Sequence, residues 1–432
     1  MKAYRTNSYF TIFLLLCSLI MLSGCDKKTT DNEPLLKSVI SIQSAENIST
    51  TSALLVARVT PNQDGTTINF MYRATTDALW TSKVFTEKLT GTKAFRVDVA
   101  LIDLVPNTQY TFYAKSTNSA GEVISSMMTF TTAKLTGAVI KIKAAQNVKI
   151  STASLSASII PNQENTIVSF EYQTINSAWK SQTLSAGFNG TDSIKVNLDL
   201  YDLQANTLYN FRIKATNVAG ETLSETASFT TYAVNDYDGN YYHSVTIGSQ
   251  TWLKENFRGT HYSNGDPIAN VTDPNSWASL NTGAYCWYNN DPEIGKVYGG
   301  LYNWYTGADS RGLIVGWHTP TGYEQADLMN NFKDYITAGL SVMETGNTHW
   351  LNTKYSATNS TGFSALPNGA FSFDQTSQKF VFIALHNSAS FWSLTDGGSS
   401  ADATIIQNYN CGFGVGAVCD KKNGMGIRLL KN

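Results

Sequence analysis

The amino-acid sequence predicts a mainly β protein in which two tandem β-sandwiches precede an α+β domain. Three observations predict this fold class: an internal repeat of about 100 residues in the first half, apolar and polar residues that alternate along short segments of both repeats, and an abrupt change of composition after Tyr232. Alternation with a period of two is typical of strands with one buried face. Short strands separated by turn residues are typical of sandwiches.

Composition excludes several classes of protein. The chain has 432 residues, which is more than one core accommodates, and its apolar fraction of 42% is typical of folded domains. Charged residues make up only 15% and the net charge is −2. No basic stripe follows the first residues, so we expect no nucleic-acid partner.

The N-terminus has the features of a secretory signal. Lys2 and Arg5 precede an apolar stretch of about a dozen residues that ends at Leu22, which is too short to span a bilayer. The tetrad Leu-Ser-Gly-Cys that closes this stretch resembles the lipobox of bacterial lipoproteins. The resemblance implies a signal peptide at 1–24 and lipidation of Cys25. An ordinary cleaved signal with a chance cysteine is the alternative.

Lipidation of Cys25 would attach the mature protein to a membrane through acyl chains. The polar segment 25–36 is typical of a flexible tether. We therefore expect an exported protein that is lipid-anchored to the cell envelope, in the outer membrane or at the cell surface of a Gram-negative bacterium.

Segments 37–134 and 135–233 are two copies of one unit. Each contains an alternating segment that ends at Pro-Asn-Gln, and later the motifs Asn-x-Ala-Gly-Glu and Phe-Thr-Thr. The first copy also has Leu-x-Pro-x-Thr-x-Tyr ending at Tyr110; the second keeps Tyr209 but has Ala205 in place of the proline. These motifs resemble fibronectin type III domains, which implies sandwiches in which the tyrosine hydroxyl caps a turn. We expect spacers; binding through the loops of one copy is the alternative.

The remaining segment, 234–432, holds all five histidines and seven of the nine tryptophans. An Asp-Tyr-Asp-Gly turn at its start and the alternation after it predict a β-hairpin. Thr321 and Glu324 have the spacing of a capping box. The apolar residues that follow predict one helix, which would end before Gly339.

A series of motifs in this segment resembles the Fibrobacter succinogenes major paralogous domain family (Fib_succ_major) over about residues 236–431. The motifs are Trp252-Leu-Lys-Glu-Asn256, Tyr298-Gly-Gly-Leu-Tyr-Asn-Trp304, Gly316-Trp-His-Thr-Pro-Thr321 and Gly424-Met-Gly-Ile-Arg428. The third and fourth also resemble formylglycine-generating domains. Both resemblances imply a C-type-lectin-like architecture. Leu313 and Leu429 replace two cysteines usual in the family, and an apolar contact would replace their disulfide.

Five consecutive residues are the candidate ligand-binding site: Trp287, Tyr288, Asn289, Asn290 and Asp291. Aromatic faces stack on sugar rings, and amide or carboxylate groups beside them form hydrogen bonds with sugar hydroxyls. The run also resembles the Trp-Asn-Asp calcium ligands of C-type lectins, although it lies too early in the domain, so calcium is a candidate cofactor. Packing of the tryptophans in the core is the alternative.

Cys411 and Cys419 flank a glycine-rich segment and are a candidate disulfide, which would leave Cys286 free and buried. The sequence has no Cys-x-x-Cys pair, so it does not predict a structural zinc site. Formylglycine-generating enzymes bind copper with a cysteine pair near the C-terminus, but the spacing here is wider. We therefore expect no catalytic residues and no enzyme activity.

The sequence thus predicts a cell-envelope lipoprotein that displays a lectin-like domain for adhesion, with a glycan or an envelope or host protein as its ligand. Two alternatives are a structural or assembly protein of the cell envelope and an oxidase of the formylglycine-generating type.

Lipidation predicts that radiolabelled palmitate enters the wild-type protein in growing cells but not a Cys25→Ala variant, because the acyl groups need the thiol. Labelling is measured by autoradiography of the immunoprecipitated protein, and Cys17→Ala is the matched control. Equal labelling of wild type and Cys25→Ala would refute lipidation at Cys25.

Overall fold

The computed structural model describes residues 34–351 and 353–432. The predicted signal peptide at 1–24, Cys25 and the tether up to residue 33 lie outside the described residues. The prediction of a mainly β fold is confirmed. The chain divides between Leu135 and Thr136 into two compact units. No helix among the described residues is long and apolar enough to cross a membrane.

The first unit consists of two antiparallel sheets around one core. The sheets have the strand orders β1-β2-β5 and β4-β3-β6-β7, with β8 also paired to β6. Leu55 and Val97 from the first sheet and Phe70 and Phe112 from the second belong to the same buried cluster, so the sheets pack face to face. The strands are β1 Val39–Ile42, β2 Ala53–Thr60, β3 Thr66–Ala74, β4 Thr81–Leu89, β5 Phe95–Leu101, β6 Gln109–Asn118, β7 Gly121–Ile124 and β8 Met128–Thr131.

The second unit begins with the same arrangement. Its sheets have the orders β9-β10-β13 and β12-β11-β14-β15, and β16 pairs with β14. The apolar residues of the alternating segment, Ala153, Leu155, Ala157 and Ile159, all lie in the core, as a strand with one buried face requires. The strands are β9 Val139–Ile142, β10 Ala153–Ile160, β11 Ile167–Thr174, β12 Lys180–Thr183, β13 Ile194–Leu200, β14 Leu208–Asn217, β15 Gly220–Leu223 and β16 Ala227–Thr230.

The tyrosine of each repeat caps a turn with its hydroxyl. Tyr110 Oη accepts a hydrogen bond of 2.9 Å from the amide of Val105, and Tyr209 Oη accepts one of 2.9 Å from the amide of Gln204. The cap therefore forms in the second copy although Ala205 replaces the proline, because the bond needs only the hydroxyl and a free amide.

The rest of the second unit is a loop-rich domain with short elements. Its strands form several small sheets, and the predicted hairpin is present as β19 and β20. The strands are β17 Val234–Asn235, β18 Tyr241–Tyr242, β19 Ser244–Ile247, β20 Gln250–Leu253, β21 Ala269–Asn270, β22 Ala284–Cys286, β23 Leu301–Tyr302, β24 Trp317–His318, β25 Asn368–Asp374, β26 Lys379–Leu385, β27 Ser388–Asp396, β28 Ser400–Gln407, β29 Phe413–Asp420 and β30 Leu430–Lys431. The helices are α1 Pro274–Ala278, α2 Pro292–Tyr298, α3 Trp304–Gly307, α4 Gly322–Asn330 and α5 Tyr335–Val342.

The second sandwich contacts this domain through side chains at its end. Asn206 exchanges two hydrogen bonds with the backbone of Ser244, at 3.1 and 3.0 Å. The rings of Tyr232 and His243 stack with centroids 4.2 Å apart. Two polar bonds and an aromatic contact therefore hold the domain against the sandwich.

One predicted helix is two helices. The capping box of Thr321 and Glu324 is present and starts α4, but a second cap interrupts the apolar stripe. Asp334 accepts a hydrogen bond of 2.7 Å from the amide of Thr337 and starts α5. Gly339 lies inside α5 rather than after it. A Cβ atom there would collide with the carbonyl oxygen of Cys411, so the glycine lets the helix pack closely against that segment.

The predicted disulfide between Cys411 and Cys419 is wrong. Both thiols are free, as is the buried Cys286. The glycine-rich segment is not a loop but strand β29, and the six steps from Phe413 to Cys419 span about 20 Å. A disulfide requires Cα atoms within about 7 Å. By contrast, Leu313 and Leu429 lie in one buried cluster, as expected.

Replacing Tyr209 by Phe should remove the turn cap and cost about 1 kcal/mol, because the Gln204 amide loses its acceptor. Hydrogen–deuterium exchange followed by mass spectrometry should show faster exchange at Gln204. Tyr201→Phe is the matched control, because that ring is 67% exposed. Unchanged exchange in Tyr209→Phe would contradict a stabilising role of the cap.

Alkylation of the folded protein should show a strong pH dependence at Cys419, one of the three free cysteines among the described residues. Burial, together with the nearby carboxylates of Asp402 and Asp420, raises the pKa of Cys419 to about 11. Because the thiolate is the reactive form, labelling by iodoacetamide should rise about tenfold per pH unit between pH 8 and 10. Peptide mass spectrometry measures this rate.

Cys286 serves as the internal control, since burial raises its pKa and hides its sulfur. It should remain unlabelled until the protein unfolds, whereas all three thiols should react in urea. A cross-linked peptide joining Cys411 and Cys419, seen only without reductant, would contradict the strand geometry.

Candidate functional site

The two aromatic rings of the predicted site make intramolecular contacts. The Trp287 indole packs on Gly295, where a Cβ would collide with it, and lies 5.1 Å from the Tyr285 ring between centroids. The Tyr288 ring lies 5.2 Å from that of Phe382. Both rings are half-buried against core clusters. These contacts favour the core-packing alternative, and ligand binding here remains a prediction.

The polar residues of the same run form a turn. Asn289 and Asn290 are exposed and adopt positive φ angles of 51° and 57°. Asp291 caps helix α2 by accepting a hydrogen bond of 2.8 Å from the amide of Glu293. Backbone geometry and helix capping therefore account for these side chains without a ligand.

Each of the five histidines has a partner within the domain. Four bond to carboxylates and the fifth to a carbonyl: His243 with Glu255, His261 with Asp238, His318 with Glu324, His349 with Glu344, and His386 with the backbone of His349. Among the described residues, no group of three or more histidine, cysteine or carboxylate side chains is placed to hold a metal ion. The candidate calcium therefore has no cluster of three carboxylates in this part of the chain.

A cleft of about 550 Å³ in the C-terminal domain combines aromatic rings with polar groups. Its volume is within the range of small-molecule sites. Four separate stretches of the chain line it: Tyr262, Pro267 and Ala269; Asn281, Thr282 and Gly283; Trp304 and Tyr305; and Ala308, Asp309 and Arg311.

Asn303 holds together three of the segments around this cleft. This residue is fully buried, and its side chain donates to the carbonyl of Thr282 at 2.8 Å. Its Oδ1 accepts from the amides of Ala284 and Thr306, at 3.1 and 3.2 Å, and so caps α3. One amide therefore joins the Thr282 loop, strand β22 and the helix that carries Trp304.

Trp304 is held in one orientation. Its indole N–H donates to the carbonyl of Ser393 at 2.9 Å, and the ammonium of Lys421 lies 3.9 Å from the ring centroid. The neighbouring Tyr305 ring meets it edge to face at 6.0 Å and is half-buried. The cleft therefore has a preformed aromatic wall, which lowers the entropy cost of binding.

Arg311, which also lines the cleft, is held by two carboxylates. It donates to Asp309 at 2.8 and 2.7 Å and to Asp266 at 3.0 Å. The guanidinium keeps the pKa of Asp309 below its ordinary value, and hydrogen bonds from Asn264 and Arg311 lower the pKa of Asp266. Both carboxylates are therefore ionised at neutral pH.

Tyr262 lies beneath the Arg311 guanidinium, which is 3.8 Å from its ring centroid. The residue is 1% exposed, and its hydroxyl lies among the side chains of Thr306, Asp309 and Arg311. A Cβ at Gly283 would collide with that hydroxyl, so the glycine leaves space for it beside the cleft. The hydroxyl is therefore enclosed by protein atoms rather than open to the cleft.

Sequence reasoning did not find this cleft. Trp304 stands in a motif that carries the family resemblance, but the other lining residues come from separate stretches between Tyr262 and Arg311. The signal that could have indicated it is chemical: Trp304 and Tyr305 with nearby asparagine and aspartate repeat the mixture found at 287–291. Long-range hydrogen bonds, such as that from the Trp304 indole to the Ser393 carbonyl, place Trp304 and Tyr305 at a cleft, and these bonds are not visible in the sequence.

Comparison with solved structures found three partial similarities. The sensor domain of the anti-sigma factor RsgI4 of Pseudobacteroides cellulosolvens is 26% identical, covering 23% of this chain and 99% of that chain, with a TM-score of 0.20. The chicken CNTN1 FN1-FN3 domains are 15% identical over 44% of this chain and 67% of that chain, with a TM-score of 0.21. Red sea bream transglutaminase is 10% identical over 46% and 31%, with a TM-score of 0.21.

No curated protein matches the chain. The family model of the Fibrobacter succinogenes major domain (Fib_succ_major) matches residues 245–431. This match confirms the domain that the ordered motifs predicted, and it contains every residue that lines the cleft.

Proposed function

We propose that the C-terminal domain binds a glycan in the cleft beside Trp304 and Tyr305. The observation that carries the proposal is a preformed aromatic wall next to the polar groups of Asn281, Thr282 and Asp309. Sugars present apolar C–H faces and a rim of hydroxyls, so they need both kinds of surface at once.

The wider function is that of an exported lipoprotein which displays this domain at the cell envelope for adhesion or ligand capture. The lipobox-like tetrad before Cys25 supports the anchor, and the tandem repeats support a spacer role. The C-type-lectin-like architecture implied by the family resemblance belongs to the same proposal.

The oxidase alternative gains no support from the cysteines. Cys411 precedes strand β29 and Cys419 lies near its far end, so the two thiols are too far apart to bind one copper ion together. A role in envelope assembly would predict binding to an envelope protein with no response on a glycan array.

Replacing Tyr305 by Ala in the full-length protein should weaken binding to responsive glycans by about tenfold or more, because part of the aromatic wall is lost. The measurement is a glycan array followed by calorimetry with each responsive oligosaccharide. Tyr305 makes no side-chain hydrogen bond among those found for the described residues, so the fold should survive, which circular dichroism checks.

Tyr323→Ala is the matched control, since that ring is 84% exposed on α4 and outside the cleft lining. It should bind like the wild type. A folded Trp287→Ala variant that loses binding while Tyr305→Ala retains it would move the site to 287–291. A flat array for the wild-type protein would overturn the glycan proposal.

A further inference from the structure

The aromatic rings that the cleft offers to a ligand form a single corner. Trp304 and Tyr305 are consecutive residues of α3, and their rings stand nearly perpendicular, at 79°, with centroids 6.0 Å apart. Tyr262, the third aromatic residue of the lining, is 1% exposed, and the guanidinium of Arg311 covers its ring. The cleft therefore has one pair of rings at one place, and no row of rings along its length.

A sugar unit can stack on only one face of Trp304. The ammonium of Lys421, which is not part of the cleft lining, lies 3.9 Å from the ring centroid and covers the other face. The indole N–H is already donated to the carbonyl of Ser393. The units of an extended glycan lie in roughly parallel planes, so two successive units cannot stack on two perpendicular rings. Trp304 and Tyr305 therefore contact the same unit.

The polar groups that remain for this unit are held in a fixed position relative to the rings. Asn281 and Thr282 are exposed in the lining, and their side chains form no hydrogen bond among those found in the described part of the chain. Amide and hydroxyl groups both donate and accept, so they match sugar hydroxyls. The buried Asn303 binds the carbonyl of Thr282 and caps the helix that carries Trp304, so one side chain joins the polar loop to the aromatic corner.

This inference rests on the proposed function and deepens it. We infer that the cleft recognises one sugar unit, whose face stacks at the Trp304–Tyr305 corner and whose hydroxyls bond to Asn281 and Thr282, and that the other units of a glycan add little affinity. A cleft of about 550 Å³ has room for more than one unit, so the contacts rather than the space set this limit. Strong attachment then depends on several copies of the protein that face a surface on which the unit is repeated.

The test compares each glycan that responds on the array with its own parts. Calorimetry with the full-length protein measures the affinity of the whole glycan and of the methyl glycoside of each of its units, at millimolar concentrations where necessary. One methyl glycoside should bind within about tenfold of the whole glycan, because that unit makes nearly all of the contacts. A whole glycan that binds more than about tenfold more tightly than every one of its units would overturn the inference.

Replacing Asn281 by Ala should weaken the whole glycan and the recognised methyl glycoside by the same factor, about two- to tenfold, which is the value of one net hydrogen bond. Asn275→Ala is the matched control, since Asn275 is an exposed asparagine of α1 outside the cleft lining, and it should change neither affinity. Circular dichroism checks that both variants are folded.

The outcomes separate the two claims. If Tyr305→Ala binds every glycan as the wild type does, the proposed function fails. If Tyr305→Ala loses binding but no single unit accounts for the affinity, or if the folded Asn281→Ala variant binds like the wild type, the cleft binds glycans through other contacts and the one-unit inference is overturned.

Discussion

A buried guanidinium organises the C-terminal domain. Arg428 is 1% exposed and makes no ion pair; instead it donates to Asn256 at 3.0 and 2.7 Å and to the carbonyl of Phe363 at 2.7 Å. Arg428 also donates to two carbonyls at the end of β20, and its guanidinium lies over the rings of Phe363 and Phe391. Burial lowers its pKa to about 9, against the opposing effect of Glu255. A buried charge without such partners costs several kcal/mol, so these segments must stay together.

The same C-terminal segment positions the cleft. Met425 exchanges hydrogen bonds of 2.8 and 2.9 Å with Tyr302 of β23, and Gly426 pairs with the backbone of β27 at Ser390. Strand β23 leads directly into Asn303 and the helix that carries Trp304, while β27 supplies the carbonyl of Ser393 that binds the Trp304 indole. The segment that ends in Arg428 thus also positions the two strands that hold Trp304, which links the closing Gly-Ile-Arg motif to the motif around Trp304.

Patterns within short segments of the sequence correctly predicted the features that depend on neighbouring residues. Period-two alternation placed Leu55 and Leu155 in the core, and spacing alone identified the capping box at Thr321. Prediction failed where two local signals competed or where a distant segment decided. The cap at Asp334 competed with the apolar stripe and divided a helix, and pairing with β28 turned a glycine-rich stretch into strand β29. The cleft joins four stretches between Tyr262 and Arg311, and no short window of sequence contains all of them.

Polar satisfaction distinguishes aromatic residues of the core from those available to a ligand. The indoles of Trp350 and Trp392 are buried and donate to the carbonyls of Ala365 and Tyr302, and the hydroxyls of Tyr242 and Tyr302 are bonded as well. In the cleft lining, the half-buried Tyr305 forms no side-chain hydrogen bond among those found for the described residues, whereas the Tyr262 hydroxyl is enclosed. The number of aromatic residues could not distinguish those in the core from those that line the cleft, because both sets contain the same residue types. An aromatic residue that lines a cleft is better placed to recognise a ligand than one packed against its own chain, and by that criterion Tyr305 takes precedence over Trp287.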